Sequence, residues 1–167
     1  MPVLPGPIRK AKAKRSPVAT PPVARPSSRD DRLLLSIPRL GLNNVPVGSS
    51  PEQSYLDREG IMHFSGSGLP YESSSNTYIV GHAADFDASR IPNVFRNLHG
   101  LRQGDLITLR DAAGRTYNYR AYEYLVVNPR DVWVTKPMAG KQLVSFQTCF
   151  PSPTFEKRLV VRAQLIG

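Results

Sequence analysis

The sequence predicts a mostly β fold, a barrel of short strands with two or more short helices, preceded by a flexible N-terminal segment. Three observations lead there. Short runs rich in β-branched and aromatic residues recur from Arg32 to the C-terminus, and several alternate apolar with polar types, the period of a half-buried strand. Clusters of Gly, Pro, Asn and Ser separate these runs, as tight turns require. Helix-start chemistry occurs only after Ser50 and after Ile91, and neither stretch has room for a long helix, so strands must build the core.

Residues 1–31 stand apart from the rest. They hold seven prolines with Ala, Ser, Lys and Arg and show no apolar periodicity, the composition of an extended linker or stalk. Residues 32–167 then form one domain, long enough to bury a single core. The formal charge is +9, but residues 1–32 carry eight basic residues against two Asp, a net of +6 that leaves +3 for the remainder. The basic character therefore belongs to the tail. That tail has no aromatic residue on which a base could stack, so nucleic acid is not expected as a partner. A single cysteine excludes an internal disulfide, and no Cys or His cluster has the spacing of a zinc site, so neither metal nor cofactor is expected. No apolar run approaches the ~20 residues that cross a bilayer, and no secretory signal is recognisable.

Along the domain, 32–37 reads as the first strand and 41–47 as a turn into a short second one. Ser50-Pro51-Glu52-Gln53 supplies an N-cap hydroxyl, Pro at the first helical position and Gln three residues after the cap, which predicts a short helix ending before Gly60. A brief strand at 61–64, a Gly/Ser-rich loop at 65–76 and a strand at 77–81 follow. A second short helix is expected over 92–98, with Pro92 in its first turn and Gly100 ending it. Residues 105–110 and 115–127 form a hairpin. In its second arm Tyr117 and Tyr119 have the opposite parity to Tyr122 and Tyr124, which a bulge near Arg120–Ala121 explains. A long loop at 128–140 leads to strands at 143–149 and 158–166.

Those last two strands frame the candidate chemistry. Leu143, Ser145 and Gln147 alternate with Val144, Phe146 and Thr148, and the run ends at Cys149, the only cysteine. Arg158 opens the next strand. If the two pair antiparallel, Arg158 lies near Cys149, because neighbouring strands run only about 5 Å apart. Three histidines compete for the role of base. His82 ends a strand, where loops expose side chains to substrate. His63 lies in an apolar segment and reads as packed or half-exposed, and His99 sits in a helix's last turn, where a basic residue needs no catalytic explanation. Asp85 and Asp87, in the loop after His82, are placed to orient an imidazole, although loop aspartates are commonly just solvated. Taken singly, Cys149 reads as a small buried hydrophobe and Arg158 as a solvated strand residue. The joint pattern reverses that reading.

Gly81-His82 ending one strand, Thr148-Cys149 ending a later one, Arg158 opening the last, and the run Phe95, Leu98, Leu101, Gly104, Asp105 between them resemble the sortases, cysteine transpeptidases of Gram-positive cell surfaces. The resemblance covers residues 33–167, and Ser145 stands where the family often has Thr. It implies a closed eight-stranded β-barrel and a reaction in which Cys149 attacks the Thr-Gly carbonyl of a C-terminal signal resembling Leu-Pro-x-Thr-Gly. A thioacyl intermediate then passes to an amine of a peptidoglycan precursor or a pilin. His82 would move protons and Arg158 would stabilise the oxyanion and hold the substrate backbone. Thr148 would support the substrate, and Trp133 or Val134, from the 128–140 loop, would face the groove or plug the core. The resemblance further implies a monomer working at the extracellular face of the membrane, held by an N-terminal anchor that this chain does not include. The Asp-Pro-aromatic lid motif of pilus-building members is absent. A papain-like protease places Cys before His, and an L,D-transpeptidase is expected to show a Ser-x-Gly-Cys motif, so neither fits. The competing reading from another class is a non-catalytic surface-binding module, in which Cys149 would be inert.

Overall fold

The computed structural model describes residues 30–84 and 89–167. The expected linker up to residue 29, and Asp85 and Asp87, lie outside the described residues.

Nine strands form one sheet: β1 (Leu33–Ile37), β2 (Leu42–Val47), β3 (Ser49–Ser50), β4 (Ile61–Phe64), β5 (Asn76–Gly81), β6 (Leu106–Asp111), β7 (Thr116–Val127), β8 (Leu143–Phe150) and β9 (Lys157–Leu165). Their order is β2-β1-β6-β7-β9-β8-β5-β4-β3. The strand beyond the eight expected is the two-residue β3. Pairing is antiparallel except for β5 with β8 and β3 with β4. The terminal strands of this order, β2 and β3, are separated in the chain by Gly48 alone. The barrel is therefore closed by the chain bending at one residue rather than by a complete ladder. Gly48 suits the bend because a Cβ there would run into the hydroxyl of Tyr55, and its carbonyl accepts the His63 N–H at 2.8 Å.

The single α-helix among the described residues, α1 (Gln53–Glu59), starts two residues later than Ser50 and Pro51 predict, with Glu52 as N-cap. Ser50 has been taken into β3, where it pairs with Phe64, and its hydroxyl accepts the Glu52 N–H at 3.1 Å. Gly60, at φ 87°, ends the helix and donates to Leu56 O at 2.7 Å; an L residue rarely adopts that backbone. The second expected helix is absent. Residues 92–97 make turns that lead into a 3-10 turn at Leu98–Gly100. The Phe95 N–H is committed to the His82 carbonyl at 3.0 Å, so it is withheld from an intrahelical bond in a segment already too short to nucleate well.

Alternation along the strands creates two apolar layers. Val144 and Phe146 of β8 and Val161 and Ala163 of β9 face the barrel interior with Leu35, Ile61, Ile79 and Phe95, all fully buried. On the outer face, Tyr78, Val127 and Val160 are covered by Val134, which a 3-10 turn at Val132–Thr135 brings in from the β7–β8 loop. The register shift between Ala121 and Glu123 is the bulge that the tyrosine parity predicts.

Candidate active site

Strand register assembles the site. Parallel pairing of β5 with β8 runs from Asn76↔Leu143 to Val80↔Gln147, and the same register carried two residues further sets His82 beside Cys149. Antiparallel pairing of β8 with β9 makes Arg158 the partner of Cys149. His82, Cys149 and Arg158 thus form a row across three adjacent strand ends, each strand about 5 Å from the next. Because side chains alternate at every residue, the row shares the outer face with Val80, Gln147 and Val160. Cys149 and Arg158 are half-buried, and the His82 side chain is 18% exposed.

The supports of the row are local. Thr148 points the other way, into the barrel, where its hydroxyl donates to Gly81 O at 2.7 Å and ties the end of β8 to the residue before His82. Gly81 must lack a side chain, since a Cβ would lie 2.5 Å from Phe95 Cδ2 and 2.7 Å from Val94 Cγ1. The His82 N–H donates to Gly60 O and the His82 carbonyl accepts from Phe95, both at 3.0 Å. Arg158 Nη1 donates to Lys157 O at 2.9 Å and to Phe155 O at 3.2 Å, contacts that hold its guanidinium against the β8–β9 turn.

The other residues expected at the site separate. Thr148 is 3% exposed, its hydroxyl engaged as described, so it braces the strand ends and does not face the groove. Val134 is 1% exposed and belongs to the outer apolar cluster. Trp133, its neighbour, is 50% exposed, with the Arg162 guanidinium 5.6 Å from its ring centroid. Arg162 is paired with Ser145, four residues back from Cys149 on β8, so Trp133 stands over a part of the sheet roughly 13 Å from the thiol's strand position. His63 is buried. Its Nε2–H donates to Gly68 O at 2.8 Å, which leaves Nδ1 to accept from the Ser49 hydroxyl at 2.7 Å. His99 is exposed.

One residue escaped the sequence reading. Asp57, in the last turn of α1, places Oδ1 3.5 Å from Nε2 of His82. It is 25 residues from His82 in the chain, and no local pattern links the two.

A family model described as the Sortase domain matches residues 35–166. Among solved structures the chain is similar to sortase A from Corynebacterium diphtheriae, at 27% identity and TM-score 0.70, over 82% of this chain and 61% of the length of that one. It is similar to a pilus-related sortase C of Group B Streptococcus at 25% identity and TM-score 0.71, over 83% of this chain and 69% of that one. A sortase D5 transpeptidase from Clostridium perfringens aligns at 26% identity and TM-score 0.67, over 83% of this chain and 80% of that one. No curated protein matches. Sortases of the A, C and D types share this barrel, and the family model spans nearly all of the described strands: the chain belongs to the sortase family.

Proposed function

We propose that this chain is a cysteine transpeptidase that cleaves a C-terminal signal resembling Leu-Pro-x-Thr-Gly between Thr and Gly and transfers the acyl group to an amine of the cell wall or of a pilin. The observation that supports the reading is the pairing of Cys149 with Arg158, beside a β5–β8 register that, extended two residues past Val80↔Gln147, leads to His82 next to Cys149. A thiolate is the nucleophilic form of cysteine, and cations beside it favour that form. Cys149 attacks the threonyl carbonyl, the carbonyl π pair moves to oxygen, and the Arg158 guanidinium stabilises the oxyanion. As the tetrahedral species collapses, imidazolium at His82 gives its proton to the departing glycine amine and leaves a thioacyl enzyme. An incoming amine then loses a proton to His82 as it attacks, and the thiolate departs.

Arg158 cannot act as the base, because guanidinium stays protonated. Its anchorage on Phe155 O and Lys157 O instead suits a fixed electrostatic role. Trp133 is the exposed aromatic of the β7–β8 loop and the candidate contact for the signal's apolar residues, with Val134 forming the floor beneath that loop. The enzyme acts at the outer surface of the Gram-positive cell, where surface proteins and wall precursors meet.

Steady-state assays with a fluorogenic Leu-Pro-x-Thr-Gly peptide and a glycine-peptide acceptor test the assignment. Cys149→Ala and His82→Ala are expected to abolish amine-dependent turnover, and Arg158→Lys, which cannot reproduce a bidentate fork, to lower kcat/KM by at least ~100-fold. Wild-type turnover in Cys149→Ala would refute the assignment.

A further inference from the structure

We infer that Asp57 is a positioning residue for His82: its carboxylate, presented by α1, holds Nε2 of the imidazole and so reserves Nδ1 for Cys149 and the reacting amines. Nε2 of His82 is buried and lies 3.5 Å from Asp57 Oδ1. Both partners are held from elsewhere. Gln53 Nε2 donates to the same Asp57 Oδ1 at 2.9 Å, and the Ser89 hydroxyl donates to the Asp57 carbonyl. The His82 N–H bonds to Gly60, just beyond α1. Helix α1 and the backbone of His82 are therefore tied together by bonds made outside the Asp57–His82 contact.

Within the helix Asp57 gains only the i,i+4 hydrogen bond from Gln53, worth about 0.2–0.5 kcal/mol. An acidic residue in the last turn of a helix opposes the macrodipole, which favours cations there, so stability of α1 accounts poorly for Asp57. An imidazole does benefit. Its two nitrogens are distinct, and a partner on one fixes the tautomer and aims the other. A carboxylate at Nε2 keeps that nitrogen protonated in the neutral ring. Among the described residues, Asp57 of α1 faces this ring, with Cys149 of β8 and Arg158 of β9 paired on the neighbouring strands. Arg58 and Arg90, which flank the site, are paired with Glu59. Catalytic hydrogen bonds are often long in the absence of substrate and tighten in the complex, in keeping with 3.5 Å.

The inference rests on the reading of His82 and Cys149 as the reacting pair, and the experiment separates the two. Long-range 1H–15N spectra of histidine-labelled wild-type protein are expected to show His82 as the Nε2–H tautomer at high pH. In Asp57→Asn, which keeps the oxygen that Gln53 uses but can also donate to Nε2, the share of the Nδ1–H tautomer is expected to rise. Iodoacetamide alkylation of Cys149 at neutral pH is then expected to slow several-fold, while Asp57→Glu restores most of the rate. An Nδ1–H tautomer in the wild type, or an unchanged tautomer ratio in folded Asp57→Asn, overturns the positioning role; the wild-type tautomer decides the matter alone if the variant does not fold. If His82→Ala leaves the pH profile of Cys149 alkylation unchanged, the reacting pair itself is wrong. If His82→Ala alters that profile and Asp57→Asn does not, only the role of Asp57 fails.

Discussion

Cys149, His82 and Arg158 are each ordinary as single residues, and their meaning comes from where the strands stop. A small side chain at Gly81 is part of that placement. Gly81→Ala would press a methyl into Phe95 and Val94; we expect a loss of about 1–3 kcal/mol from overpacking, read by urea denaturation, and a larger fall in turnover because His82 follows directly. His63, the histidine that takes no part in the row, makes a prediction of another kind. Burial, opposed by the hydrogen bond to the Gly68 carbonyl, lowers its pKa from the ordinary 6.5. The unfolded chain takes up a proton as pH falls through that ordinary value, whereas the folded chain does not. Stability contributed by His63 is therefore complete above about pH 6.5 and is lost as pH drops toward the folded pKa. Urea midpoints for wild type and His63→Gln, followed from about pH 7.5 to about pH 5, should converge as pH falls; a constant gap would mean that His63 titrates alike in both states. The ring contacts of His63, to Ser49, Gly68 and Ser67, are not visible in its apolar sequence neighbourhood, which shows only that the residue is packed.

Among the elements, the β7–β8 loop is held by a distant residue. Asn76, 2% exposed, donates both amide hydrogens to the loop, to Val134 O and Lys136 O at 3.0 Å each, and its own oxygen accepts from the Ser145 hydroxyl at 2.7 Å. Asn76→Ala would orphan those groups in the interior; each costs about 1–3 kcal/mol, so a destabilisation of at least ~2 kcal/mol is expected in urea, with Trp133 fluorescence reporting release of the loop. A variant within ~0.5 kcal/mol of wild type would show that these hydrogen bonds contribute little to stability. Strands were legible because alternation and β-branched content are local signals, and β4 falls on the residues expected. Helices were less so. Pro92 and Gly100 announce a helix by local rules, yet a nonlocal bond from Phe95 to His82 converts the segment to turns. In the loop, Trp133 and Val134 are adjacent apolar residues, and only the fold decides that Val134 goes under and Trp133 stays out. Asp57 was illegible for the same reason: its partner lies across the fold.

At the scale of the whole molecule, the barrel turns a linear order of strands into a chemical site. Closure through Gly48 sets β3 beside β4 and β4 beside β5, and with them α1, whose Asp57 lies 3.5 Å from His82. The parallel step between β5 and β8 is what lets two strands end on the same side, one at His82 and the other at Cys149. A hairpin would have placed the end of one strand against the start of the other. The remaining antiparallel step adds Arg158 from the opening of β9, so the row requires one parallel and one antiparallel junction in that order. This topology, rather than any one motif, brings the candidate reacting groups together. Whether Cys149 carries an acyl group is decided by mass spectrometry of the protein incubated with a Leu-Pro-x-Thr-Gly peptide library, with and without glycine peptides or diaminopimelate-type amines. The expected result is a covalent adduct of the acyl fragment that is absent in Cys149→Ala and is discharged when amine is added. No adduct, together with a Cys149 that resists iodoacetamide in the folded protein, would contradict it and mark the chain as a binding module on a sortase barrel.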